Sequence, residues 1–226
     1  MSKAVGTFLC VIFVLTHAPA AVAGLVPKRT VLDNGVILLT SEQRALPMVS
    51  IELLIDAGAR YDSAGLEGLA NLTARLLTYG TKRRTASQIS DSLDFIGASL
   101  SAGAAEDLAN VNMTILKKDL ATGLNLLFEL LNESTFPQAE INRQKQAVLA
   151  ALRAREEDPG DIAERKFVAS LFPKSPYGRP VEGTASSVNA ISQDEILKFY
   201  ERYFRPNRTI MVVVGDGATR RCTCHR

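Results

Sequence analysis

Histidine is almost missing from this chain of 226 residues. The two that occur, His17 and His225, sit near its ends. The body of the sequence can therefore assemble neither a His-x-x-x-His metal pair nor a Ser-His-Asp triad. Tryptophan is absent, and no basic stripe interleaved with aromatics occurs. That excludes a stacking platform for nucleic acid. Cysteine is limited to Cys10, Cys222 and Cys224, so no disulfide can staple a core. Charge of one sign is lacking too: 26 basic residues face 24 acidic ones, and no strong field steers the chain toward nucleic acid or anionic lipid. The one strongly apolar run, Phe8 to Leu15, is too short to span a bilayer comfortably.

What is present starts with a leader. Lys3, the apolar run and Ala21-Val22-Ala23 fit an export signal over residues 1–23, with Gly24 as the first mature residue. The competing reading is an uncleaved membrane anchor. Export places the protein in a bacterial periplasm or outside a cell. After cleavage no stable membrane span is expected. Residues 24–216 suit one domain, and 46% hydrophobic content argues against global disorder. Residues 217–226 turn basic and irregular. They read as the product of a truncated or frame-shifted gene, and Cys222-Thr223-Cys224-His225 is too short to close a metal site alone.

Periodicity gives the elements between. Asp33-Asn34-Gly35 is a hairpin turn inside Val31 to Leu39. Met48 to Ile55 alternates as a half-buried strand, and Val111, Met113 and Ile115 mark another. Thr85-Ala86-Ser87-Gln88 is a capping box before a helix with Ile89, Leu93 and Ile96 inward. Gly97-Ala98-Ser99-Leu100-Ser101-Ala102-Gly103-Ala104 is small and weakly polar, a poor core strand but a plausible edge. Leu120 to Leu131 is an apolar-faced helix. Pro137 fits the first turn of a long helix that ends near Asp158-Pro159-Gly160, with Ile141, Val148, Leu149 and Leu152 inward. Ile162 to Leu171 adds a short helix, and Ser192-Gln193-Asp194-Glu195 opens another as a capping box. Thr209 to Val214 reads as a fully buried strand. Strands separated by clustered helices give an α+β class.

The segment Gly65 to Thr81 carries the functional information. Leu66, Leu69, Thr73, Leu76 and Leu77 recur at helical spacing and should form one buried face. Asn71, Ala74 and Arg75 fall on a second face, at the positions that His, Glu and His occupy in the H-x-x-E-H zinc motif. Gly-Leu-Ala before these positions and Gly-Thr after them are similar to the pitrilysin/insulinase family, which includes the mitochondrial processing peptidases. So are Arg153 to Pro159, Ser175 to Thr184 and Phe199 to Asp216, in family order. The resemblance spans Val26 to Asp216. It implies a mixed, largely antiparallel sheet with a layer of helices over one face, as in a processing-peptidase-type domain.

The resemblance also implies a zinc site, and the residues do not carry it. The two zinc histidines map onto Asn71 and Arg75, the general-base glutamate onto Ala74, and the third ligand at or near Ala151. A catalytic zinc needs three protein ligands and an open position. Alanine offers nothing, an amide oxygen is a weak donor, and a guanidinium has no lone pair and stays charged. No cofactor is expected. Asn71 and Arg75 read either as polar residues on a solvated helix face or as a repurposed binding position. Glu156, Glu157, Asp158 and Asp161 could attract a cation, or simply be a solvated helix end. The resemblance implies a non-catalytic subunit that pairs with a zinc-bearing paralogue and helps enclose extended peptide; Gly97 to Ala104, whose small side chains permit close approach, is either the peptide-holding edge or an edge strand that simply packs on its neighbour. The alternatives are a remnant of a zinc-peptidase gene, residual metalloendopeptidase activity, or a scaffold without peptide traffic.

Overall fold

In the computed structural model, which describes residues 27–217, the asparagine-glycine turn joins β1 (Lys28–Val31) to β2 (Ile37–Glu42). Gly35 sits at φ +88°, and a Cβ there would stand 2.9 Å from Cβ of Asn207. Glycine is thus required both by the backbone and by the neighbour. Next come β3 (Met48–Ile55), α1 (Leu69–Leu76), α2 (Ala86–Phe95), β4 (Ser99–Ala104) and β5 (Ala109–Leu116). Five helices follow: α3 (Leu120–Glu133), α4 (Gln138–Glu156), α5 (Pro159–Leu171), α6 (Ala185–Ala190) and α7 (Gln193–Tyr203). The last element is β6 (Thr209–Gly215).

The six strands form one sheet in the order β1-β2-β6-β3-β5-β4. β6 runs parallel to β2, and every other neighbouring pair is antiparallel. The expected mixed, largely antiparallel sheet with helices over one face is what the chain forms. Val49, Ile51, Leu53 and Ile55 of β3 join Val111, Met113 and Ile115 of β5 in a single core with Leu72 and Leu76 of α1, Leu124 and Leu127 of α3, and Ile196 and Phe199 of α7. Each such side chain contributes roughly 1.5–3 kcal/mol by leaving water.

Several boundaries differ from the sequence expectation. β6 alternates instead of being buried throughout: Met211 and Val213 are buried, while Ile210, Val212 and Val214 on the other face are half-exposed. Its apolar run matches a strand covered on both faces, but the helices of this chain cover only one. The edge strand starts at Ser99, because Gly97, at φ +59°, turns the chain out of α2. Pro137 caps α4 from just outside it. The long helix stops at Glu156, and the Asp158 carboxylate accepts Gly160 N–H at 2.7 Å to open α5 three residues earlier than expected. Of the Ser192 box only the serine half forms, through Glu195 N–H at 3.2 Å. A complete capping box stands instead at Thr184 and Ser187. The leader, all three cysteines and both histidines lie outside the described residues, as does the tail beyond Gly217. Among the described residues no helix is long and apolar enough to cross a membrane.

Phe136 is wholly buried at φ +49°, an uncommon conformation for a bulky residue. Its ring meets Tyr200 edge-on with centroids 5.1 Å apart, and its carbonyl accepts Gln193 Nε2 at 2.9 Å. Burial of the ring offsets the backbone strain. Nearby, the Tyr200 hydroxyl donates to Leu131 O at 2.5 Å, and burial pushes its pKa up to about 12.

Candidate functional site

α1 is held at its N-terminus by a carboxylate. Asp62, 5% exposed, accepts Gly68 N–H at 2.8 Å and Ala70 N–H at 2.9 Å. These are among the first N–H groups of the helix, which have no partner inside it. Arg179 donates to the Asp62 carbonyl at 2.9 Å, and Ser187 Oγ to Glu67 O at 2.7 Å. The connector after α5 therefore clamps the start of α1.

Burial pushes the Asp62 carboxyl up to about 6, against the pull of Ala70 and Gly68 N–H and of Arg179. An acid whose folded pKa lies above its unfolded value binds more protons folded than unfolded between those two values. Stability contributed by Asp62 should therefore fall as pH rises from about 4 to 6, by up to roughly 3 kcal/mol. The expected result is that the stability of Asp62→Asn, measured relative to the parent by urea unfolding, climbs over that interval and is flat above it. A constant difference across it would refute the assignment.

The helix itself is buried nearly all round. Asn71 is 8% exposed, Ala74 is wholly buried, and only Arg75 faces solvent. The solvated helix face expected for Asn71 and Arg75 is therefore corrected to Arg75 alone. The reason is position: α1 packs along β4 and β5 and against α4 and α7. Thr73 is also wholly buried, and its Oγ1 has no hydrogen-bond partner. Thr73→Val should raise stability by about 1 kcal/mol or more in denaturant melts, since an unpaired buried hydroxyl costs roughly 1–3 kcal/mol.

The fold brings Asn71 to the outer strand. A Cβ placed on Gly103 of β4 would lie 3.8 Å from Oδ1 of Asn71 and 3.8 Å from Oδ1 of Asn110. Arg75 Nη2 reaches Oε1 of buried Gln144 on α4 at 3.4 Å, a weak contact. Ala151 is exposed, two turns along α4 from Gln144. Serines 99 and 101 of β4 are exposed, and the outer side of β4 pairs with no strand among the described residues. Asn71, Ala74, Arg75 and Ala151 hold no set of donors that a zinc ion could use. Among the described residues no three His, Cys, Asp or Glu side chains gather to hold a metal. Of the acidic residues near α5, Asp158 caps the helix and Asp161 lies 3.7 Å from Arg155.

A second constellation went unseen in the sequence. Asp56, at the end of β3, accepts Arg60 Nη2 at 2.7 Å, Tyr61 Oη at 2.8 Å and Arg208 Nη2 at 2.8 Å. Arg60 also donates to Asp107 at 2.7 Å, where Tyr177 Oη donates at 2.6 Å. Tyr61 stacks on Tyr203 with centroids 4.6 Å apart. Burial alone would raise the Asp56 carboxyl, but hydrogen bonds from Tyr61 and Arg60 and the Arg208 charge outweigh it and leave it below its ordinary value. This clasp fixes the β4–β5 turn, and so the end of the edge strand beside Asn71. Arg60 and Asp56 lie four residues apart, a signal available in the sequence; Asp107, Tyr177 and Arg208 join only in space.

Comparison with known proteins follows the same geometry. The sequence profile of the insulinase family (peptidase family M16) matches residues 37–185, more than half of the chain. A Rickettsia bellii protein named as an uncharacterized zinc protease is 28% identical over 185 residues, covering 82% of this chain and 45% of the relative. The crystal structure of a peptidase M16 inactive domain from Pseudomonas fluorescens superposes with a TM-score of 0.81 at 26% identity, covering 85% of this chain and 47% of that one. The Escherichia coli periplasmic protease PqqL shares the fold, with a TM-score of 0.77 at 19% identity over 84% of this chain and 22% of its own. The chain thus spans less than half the length of each of these proteins.

Proposed function

The chain belongs to the insulinase family of peptidases, peptidase family M16, and from that premise we propose that it is a non-catalytic member which pairs with a zinc-bearing peptidase and holds extended peptide along β4. The observation that carries this reading is the environment of α1. The helix stands beside the edge strand, clamped at its start, yet the positions that would grip zinc are Asn71, Arg75 and Ala151. An outer strand binds peptide through backbone hydrogen bonds and needs no catalytic group. Ser99, Ser101 and Gly103 leave room for a second backbone to approach.

The sheet face away from the helices supports a partner as well. Its rows follow from the register. Ile37, Ile210 and Leu54 lie side by side, and Leu39 and Val212 continue the apolar strip as far as Glu52. Toward β4 the same face turns polar, with Asn110, Asn112 and Thr114 opposite Gly103, Ser101 and Ser99. An apolar half suits burial against another chain and a polar half suits peptide. The inactive domain among the solved relatives supports a non-catalytic role. Export to a periplasm is part of the proposal and rests on the leader.

The test is co-expression of the full chain with a histidine-bearing paralogue from the same source. The expected outcome is a stable complex on size exclusion that retains labelled unfolded peptide even when the partner's zinc is removed. A chain that elutes alone and retains no peptide would sink the reading.

A further inference from the structure

We infer that the peptide held beside α1 carries a carboxylate, and that Arg75 receives it. This deepens the peptide-holding reading and rests on it. Arg75 replaces a neutral metal ligand with a permanent cation. Its guanidinium is exposed and makes one weak contact, 3.4 Å to Gln144 Oε1, and among the described residues no carboxylate lies within ion-pair distance of it. Arg60, Arg84, Arg143, Arg155 and Arg208, by contrast, each pair with an acid. A planar guanidinium with free donors matches a carboxylate through two parallel hydrogen bonds.

The neighbouring amide gives the second, independent indication. Asn71 is more than nine-tenths buried, its side chain makes no hydrogen bond among the described residues, and its oxygen is aimed at Gly103 on the outer strand. Among the described residues the buried polar atom without a partner is Thr73 Oγ1 and not the Asn71 amide, so the amide is within reach of a ligand arriving from outside. A peptide group added along β4 gives it a partner, since an amide both donates and accepts. One turn further along α1, Arg75 then faces the next part of that peptide. The site is built to grip a neutral backbone at Asn71 and a negative group at Arg75. The carboxylate is either the C-terminal group of the peptide or an acidic side chain.

The experiment uses the purified full chain and fluorescence anisotropy with dye-labelled peptides of one neutral, small-residue sequence. One pair differs only in a free or amidated C-terminus. A second pair, both amidated, differs only in one internal Glu or Gln. The expected result is that one carboxylate form binds about tenfold tighter than its neutral counterpart, and that this advantage shrinks as salt rises. Which pair shows it identifies the source of the carboxylate. Arg75→Gln should remove the advantage, so that the two members of each pair bind alike. Lys166→Gln, a charge change on the exposed side of α5, should keep it. Equal binding within both pairs, or an advantage that survives Arg75→Gln or vanishes in Lys166→Gln, overturns the inference and leaves the peptide-holding reading in place. Binding of neither form overturns both.

Discussion

Gly183→Ala is expected to unfold the domain or bring it close to unfolding, with loss of the cooperative urea transition. Gly183 sits at φ +82°, where an L side chain costs roughly 1–2 kcal/mol. A Cβ there would lie 2.1 Å from Glu67 O and 2.8 Å from Glu67 C, and both of these are backbone atoms that cannot swing aside. Gly68 mirrors the contact, since its own Cβ would stand 2.7 Å from Glu182 O. The two glycines press the connector onto the start of α1, where Asp62 and Ser187 complete the clamp. Overpacking of this kind adds about 1–3 kcal/mol, and the total is a large share of a typical stability of about 5–15 kcal/mol. Gly65→Ala is the matched control. Gly65 has φ +84° and nothing within 4 Å of a Cβ, so it should lose only the backbone strain. If both substitutions cost the same, the connector does not abut α1 and the geometry of the site is wrong.

The second large effect is on chemistry. Prepared with zinc in the medium, the chain alone should retain no stoichiometric metal and hydrolyse peptide no faster than buffer, with or without chelator. Three protein ligands are needed to hold a catalytic zinc, and α1 and α4 offer the Asn71 amide, the Arg75 cation and the methyl of Ala151. On the proposed reading Ala74 takes the place of the general base, a loss worth about 10²–10⁴ in rate on its own. One zinc per chain by elemental analysis, or turnover that chelator abolishes, would defeat this expectation. The outcome is independent of peptide holding, which calls on β4 and not on a metal.

How much of this was legible beforehand differs element by element. The β3 and β5 strands follow from alternation, which in β3 only Leu54 breaks, and the Thr85 capping box opens α2 where the sequence places it. β6 misled because Ile-Met-Val-Val-Val records hydrophobicity and not which faces are covered. α1 misled in the opposite sense. Its second face carries polar Asn71 and Arg75, but packing against β4, β5, α4 and α7 buries Asn71 and Ala74 and leaves Arg75 as the exposed position.

By itself the sequence determined the α+β class, the turn at Gly35, the Thr85 cap, and the residue types at Asn71, Ala74, Arg75 and Ala151. These are local matters: the periodicity of a strand or helix, the φ a turn demands, the lone pairs a side chain owns. Only the tertiary structure decided that β6 inserts between β2 and β3, that Asn71 meets Gly103, that Arg75 reaches Gln144, and that Asp56 gathers Arg60, Tyr61 and Arg208. Those contacts join residues up to 152 positions apart. They form because the core buries its apolar faces together, and no local pattern records which distant partner arrives.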